Sequence, residues 1–189
     1  MQRTSPLDIR LGTLADSAAI ARILAAGWQQ AYSGFMPKEM LHRRADPVYR
    51  AGEITEWLSS DFDPAVDLLL VAERADTVLG FVAARLGDRD DTGAASKITL
   101  LYVTPEAQGQ GVGRQLLLSA ISDLKERAPG AITIAAYEQS PFRSFYSFIG
   151  GRELKSITSS VDGREWPLVI YHWSSLEGLE DGIRATGRS

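Results

Sequence analysis

The stretch LLYVTPEAQGQGVGRQLLLSA, residues 100–120, constrains the fold more than any other part of this chain. An apolar run ends just before Pro105, glycines stand at 109, 111 and 113, and an amphipathic run then begins. Glycine serves where a backbone must turn left-handed or let something bulky come close. Three of them between a strand and a helix call for a sharp turn, a near neighbour, or both. A strand, a glycine turn and a helix N-terminus also form an anion site, because the unpaired first-turn N–H groups and the helix dipole both favour negative charge.

Two nucleotide motifs fail here on residues. A Walker loop needs Gly-Lys-Ser/Thr at its end, and Gly113 is followed by Arg114 and Gln115. The dinucleotide fingerprint needs a third glycine where Arg114 stands, and an acidic residue closing the next strand, where AITIAA (131–136) has none. A nucleotide-binding protein of another fold is thereby disfavoured. Tight turn and anion cradle both stay open on the pattern alone.

The remaining chain alternates between two periods. LDIRLG (7–12) reads as a strand, TLAD (13–16) as a capping box, and Ile20, Ile23, Leu24 and Trp28 share one helical face. SGFMPKEML (33–41) is a turn whose proline suits a helix start, and residues 47–60 form a second amphipathic helix broken by DFDP. VDLLLVAE (66–73) and VLGFVAARL (78–86) make a hairpin around Asp76; KITLLYV (97–103) is a strand covered on both faces. Residues 112–127 form a helix, 131–136 a short strand, and SPFRSFYSFIG (140–150) a short helix stopped by Gly150 and Gly151. VDG (161–163) joins two last strands, and the polar tail 175–189 is expected to fray. With no repeat and no linker, residues 1–189 are expected to form a single α+β domain.

Composition narrows the function. With 44% hydrophobic and 23% charged residues the chain suits a folded globular protein. The absence of cysteine excludes disulfides and thiolate metal sites and makes a cytoplasmic address natural. His42 and His172 are too few and too far apart to suggest a metal, so none is expected. The start MQRTSPLDIRLG lacks a signal-peptide core, and no run approaches the ~20 apolar residues of a membrane span, so no membrane partner is expected. A net charge of −4 argues against nucleic acid. The acidic run DRDD (88–91) reads as a solvated loop.

The order Gln108-x-x-Gly111-x-Gly113 after a strand ending LYV resembles the acyl-CoA signature of the GNAT superfamily of N-acetyltransferases. EQSPFRSFYSFIGG, downstream, is similar to that family's segment with a Phe-Tyr pair before a glycine, and WQQAYSGFMP upstream resembles the first-helix region of one branch. The resemblance covers roughly residues 7–173. It implies a mixed, mostly antiparallel sheet of about seven strands flanked by about four helices, with an acyl-CoA cleft between strands 4 and 5. It also implies acetyl-CoA as donor and an amine of a small molecule, peptide or protein as acceptor, with direct attack in a ternary complex. A non-catalytic acyl-CoA-binding domain of the same fold is the alternative.

Carried over residue by residue, the resemblance gives Leu101, Tyr102 and Val103 to the pantetheine arm. It gives Gln108, Gly109, Gln110, Gly111, Val112, Gly113 and Arg114 to the pyrophosphate, and Gln139 and Phe145 to the same cofactor. Trp28, Tyr32 and Phe35 correspond to the acceptor pocket. The implied reaction is attack of a neutral amine on the thioester, through a tetrahedral intermediate and out with a thiolate. An amine of pKa near 10.4 is about 99.9% protonated at neutral pH, so a base is needed. Tyr146 matches the tyrosine that faces the sulfur. Proton transfer from a phenol near 10 to a thiolate near 8.5 is uphill by about 2 kcal/mol, so hydrogen bonding to the developing thiolate suffices. The base departs from the pattern: Lys97 stands where many relatives carry glutamate, leaving Glu138 or a water chain. The family asparagine is Gln139 here, and the phenylalanine after the second glycine is Gly151. Two chains could also pair through strands 153–173 as a homodimer.

Overall fold

The computed structural model describes residues 5–88 and 90–188. Seven strands form one sheet in the order β1-β2-β3-β4-β5-β7-β6. The strands are β1 (Asp8–Leu11), β2 (Asp67–Arg74), β3 (Thr77–Leu86), β4 (Ser96–Val103), β5 (Ile132–Tyr137), β6 (Arg152–Val161) and β7 (Arg164–Trp173). β4 and β5 run parallel, whereas β1–β2, β5–β7 and β6–β7 are antiparallel. The expected mixed seven-stranded sheet is present. About four helices were expected, and the described residues form six: α1 (Ser17–Tyr32), α2 (Lys38–Arg44), α3 (Pro47–Glu56), α4 (Val112–Arg127), α5 (Ser144–Phe148) and α6 (Leu176–Ala185).

The chain falls into two compact units, each made of two stretches. The first unit comprises Met1–Ala83 and Leu100–Ala120. Its α1 buries Ile20, Ile23, Leu24 and Trp28, the stripe that the helical spacing predicts. Ahead of α1 the Asp16 carboxylate accepts from the Thr13 N–H at 2.8 Å and from both terminal nitrogens of Arg10 at 2.8 and 2.9 Å. α3 opens on Pro47 with Asp46 accepting from the Val48 N–H, and it ends at Glu56 rather than at 60. Trp57–Asp61 then widens to a π turn, because Phe62 N–H donates to Trp57 O one residue further back than an α-helix allows. β2 and β3 are joined through Ala75 and Asp76, at φ 49° and 59°. Positive φ at both central residues gives the turn a twist that matches a hairpin.

The second unit comprises Ala84–Thr99 and Ile121–Ser189. The β4–β5 register runs from Ser96 opposite Ile132 to Ile98 opposite Ile134, while β5 stays paired with β7 through Tyr137. Asp162 and Gly163, at φ 53° and 73°, make the expected tight turn between β6 and β7. A register shift between Glu153 and Lys155 re-aims β6. Lys155 Nζ donates to the carbonyls of Asp90 and Asp91, and Lys97 Nζ pairs with Asp90 at 2.5 Å. Asp88 accepts from Thr92 N–H and Gly93 N–H, which hold its carboxyl below the ordinary value. The acidic run is therefore anchored by two lysines rather than simply solvated.

The tail requires a correction. Residues 176–185 form α6, capped by Ser175 Oγ accepting from the Gly178 N–H at 3.2 Å. Leu176, Leu179 and Ile183 are buried at 1, 0 and 1% exposure. Three apolar residues at helical spacing among many charges look polar in a composition count, yet they supply one complete apolar face.

Candidate active site

In the first unit β4 ends at Val103, a short 3-10 turn (Pro105–Ala107) follows, and the chain swings through Gln108–Gly111 into α4. Gly109 and Gly111 sit at φ +73° and +80°, and a Cβ added to either would meet nothing within 4 Å. Their glycines answer a backbone requirement. Gly113 does not lie at positive φ, and its added Cβ would meet only Val103 Cγ2 at an ordinary 3.5 Å. Neither backbone nor packing demands glycine there. Gln115 N–H donates to Gly111 O at 3.0 Å as α4 begins, and Gln110 N–H turns back to Ala107 O at 3.4 Å. The start of a helix is where backbone N–H groups and the dipole favour an anion. The geometry suits a bulky anion seated against the backbone.

Several side chains hold this turn. Gln108 Nε2 donates to Val103 O at 3.2 Å and exchanges hydrogen bonds with the Gln30 side chain of α1 at 2.8 and 3.1 Å. Gln110 accepts from Arg74 Nη1 at 3.0 Å, which brings a half-buried cation to the turn. A cavity of about 250 Å³ opens beside it, lined by Arg74, Ala75, Glu106, Ala107 and Gln110. Val112 is buried and packs into the core, whereas Arg114 is half-buried in the first turn of α4. The sequence reading missed Arg74 and Gln30; no local pattern marks either, since both reach the turn from distant elements.

The expected pocket residues gather in the same unit. Trp28 and Tyr32 meet edge to face at 4.9 Å, Tyr32 and Phe35 at 5.7 Å, and the Tyr32 and Tyr102 hydroxyls lie 3.2 Å apart. Tyr102, assigned above to the pantetheine arm through its backbone, thus sends its side chain into the aromatic cluster. It stacks on Phe81 at 5.8 Å, and Gly27 of α1 leaves room for its ring, which a Cβ would strike. Leu101 and Val103 flank it, both half-buried. Burial raises the Tyr102 phenol above its usual value.

Behind the cluster lies a guanidinium that the sequence reading did not single out. Arg50 is 5% exposed, with its Cζ 4.5 Å from the Trp28 ring centre. Its Nη1 donates to Glu53 at 2.7 Å and its Nε to Arg44 O at 2.8 Å. Arg44 pairs with the same glutamate at 2.9 Å. The i,i+3 spacing of Arg50 and Glu53 on α3 was the available signal.

The second unit carries the remaining candidates. Tyr146 is half-buried on α5, 5.8 Å from the Phe145 ring and 5.5 Å from the Tyr171 ring. Tyr171 is fully buried and donates to Glu153 at 3.1 Å; Arg143 reaches the same carboxylate at 3.1 Å. Burial, then the hydrogen bond to Glu153, raises the Tyr171 phenol. Glu138 and Gln139 are exposed just beyond β5, and the Glu138 backbone is held by Pro167 O at 3.0 Å and by Arg143 at 3.1 Å. Phe145 is 38% exposed. Gly151, where the family motif has phenylalanine, has a packing reason: an added Cβ would lie 2.5 Å from Trp173 Cζ2 and 2.7 Å from Tyr146 O. Among the described residues no helix is long and apolar enough to cross a membrane, and no three acidic or histidine side chains are placed to hold a metal.

Residues 28–150 match the Acetyltransferase (GNAT) family. Mycothiol acetyltransferase of Nocardia farcinica is 30% identical over 124 residues, 64% of this chain and 36% of that protein, so the match spans about a third of the relative's length. A GCN5-related N-acetyltransferase from Rhodopseudomonas palustris superimposes with a TM-score of 0.69 at 21% identity, over 92% of this chain and 99% of that one. The PaiA N-acetyltransferase from Thermoplasma acidophilum, solved with coenzyme A, gives 0.64 at 19% identity, over 89% and 99%. With the sequence match and the mixed seven-stranded sheet in agreement, this chain belongs to the GNAT acetyltransferase family.

Proposed function

We propose that this chain is an acetyl-CoA-dependent N-acetyltransferase that acts in a ternary complex on a primary amine of a small molecule, peptide or protein. The observation that carries this reading is Gly113, a glycine that neither φ nor packing requires, at the open N-terminus of α4. The amides of 109–114 hold the pyrophosphate, Arg114 and Arg74 add positive charge, and Gln108 fixes the turn. Leu101, Tyr102 and Val103 offer backbone groups to the pantetheine arm, and Gln139 and Phe145 border the same donor. Acetyl-CoA supplies an activated acetyl thioester. Tyr146 presents its phenol hydrogen to the leaving sulfur, and Glu138, exposed to solvent, takes the amine proton directly or through water. Trp28, Tyr32 and Phe35 wall the acceptor. A cytoplasmic location fits this chemistry.

One observation favours the non-catalytic reading. At the position of the family glutamate, Lys97 is tied to Asp90 at 2.5 Å. Release of free thiol from acetyl-CoA over a panel of amino acids, their amides, polyamines and peptides separates the two. Turnover with any of them supports the transferase, and acetyl-CoA binding by calorimetry without turnover supports the binder. In the transferase, Tyr146→Phe is expected to lower kcat about 100-fold at unchanged KM for acetyl-CoA. An unchanged kcat removes Tyr146 from its role.

A further inference from the structure

We infer that the acceptor carries a carboxylate beside its amine, and that Arg50 recognises that carboxylate. This inference rests on the transferase reading and narrows its substrate class. Arg50 is buried, its Nε and Nη1 are engaged by Arg44 O and Glu53, and its Nη2 is buried with no hydrogen-bond partner among the described residues. A guanidinium kept only for packing is replaceable by an apolar side chain of similar shape, and a buried donor left unpaired is costly. Such an arrangement is at its best when an external acceptor completes it.

The neighbours indicate what that acceptor is. The guanidinium lies 4.5 Å from the Trp28 ring, Trp28 abuts Tyr32, and the Tyr32 and Tyr102 hydroxyls meet at 3.2 Å. A cation set among hydroxyl donors and aromatic faces attracts an anion and repels a second ammonium. An acceptor with both an amine and a carboxylate is then oriented: carboxylate toward Arg50 Nη2, amine away from it. Tyr32, Phe35 and Tyr102 are each half-buried, so this cluster keeps some exposed surface. A polyamine has nothing to offer the guanidinium and carries a charge that it opposes.

The test uses matched acceptors with the full chain and acetyl-CoA: phenylalanine, phenylalaninamide and phenethylamine, with the leucine and methionine sets beside them. Wild-type kcat/KM is expected to favour the free carboxylate about 10- to 100-fold over both partners in at least one set. Arg50→Met is expected to abolish that preference through the KM of the acceptor, with the KM of acetyl-CoA unchanged. Arg50→Lys, which keeps charge in the site, is expected to restore part of it. Thermal stabilisation of the wild type by the carboxylate acceptor, and not by its amide, gives a readout independent of turnover. Amides or plain amines used as well as the carboxylates by the wild type overturn this inference and leave the transferase standing. No thiol release from any amine, with acetyl-CoA bound, overturns the transferase reading itself.

Discussion

Two glycine-rich places in this molecule make opposite use of the same residue. At the turn from Gln108 to Arg114, added Cβ atoms at Gly109 and Gly111 would meet open space, and at Gly113 only an ordinary contact. At the junction of Ile149–Gly151 with α6, an added Cβ on Gly182 would overlap the Ile149 carbonyl, and one on Gly151 would press on Trp173. Trp173 Nε1 donates to that same Ile149 carbonyl at 3.0 Å. The second set lets the chain close on itself. The first leaves room for something that is not the chain.

The largest effect expected from this contrast is at the closed junction. Gly182→Val should cost about 3 kcal/mol of stability, read by urea unfolding, because a backbone carbonyl cannot give way cheaply. A loss near zero would break the comparison. At the open turn, Gly113→Val should weaken acetyl-CoA binding about 10- to 100-fold by calorimetry while stability stays within about 0.5 kcal/mol. If both fall together, Gly113 is structural after all. Gly111→Ala should fall between the two, losing about 1 kcal/mol because alanine at φ +80° is strained, whatever the space.

A smaller, pH-dependent effect calibrates these stability measurements away from both glycine sites. Arg10 hydrogen bonds hold the Asp16 carboxyl below its ordinary value. A lowered folded pKa stabilises above the unfolded value near 4, and that contribution is lost as pH falls through the folded one. Asp16→Asn should therefore cost about 1 kcal/mol at neutral pH, kept modest by the exposure of Arg10, and the gap from wild type should close in acid. A gap that persists at low pH would assign the loss to packing instead.

Much of this was legible because it is local. The turn at 109–113, the α1 stripe of Ile20, Ile23, Leu24 and Trp28, and the Asp162–Gly163 hairpin each follow from periods and turn residues a few positions apart. The end of α3 was read four residues too far, since a π turn keeps the composition of a helix while changing its hydrogen bonds. α6 was read as a frayed tail because its charges outnumber Leu176, Leu179 and Ile183, and only burial of those three gives the helix its stability.

The sequence by itself determined the strand, glycine turn and helix start of residues 97–127 within one short stretch, and with the Phe145–Tyr146 motif it carried the resemblance to the family. The tertiary structure alone decided the rest of the surroundings. It brought Arg74 and Gln30 to the turn, placed Arg50 behind Trp28, and turned the Tyr102 ring toward Tyr32. It also showed that Gly151 replaces a larger residue because Trp173 fills that space. The physical reason is separation along the chain. A turn or a helix is specified by neighbours in sequence, whereas an aromatic cluster and its buried cation exist only once elements dozens of residues apart have packed.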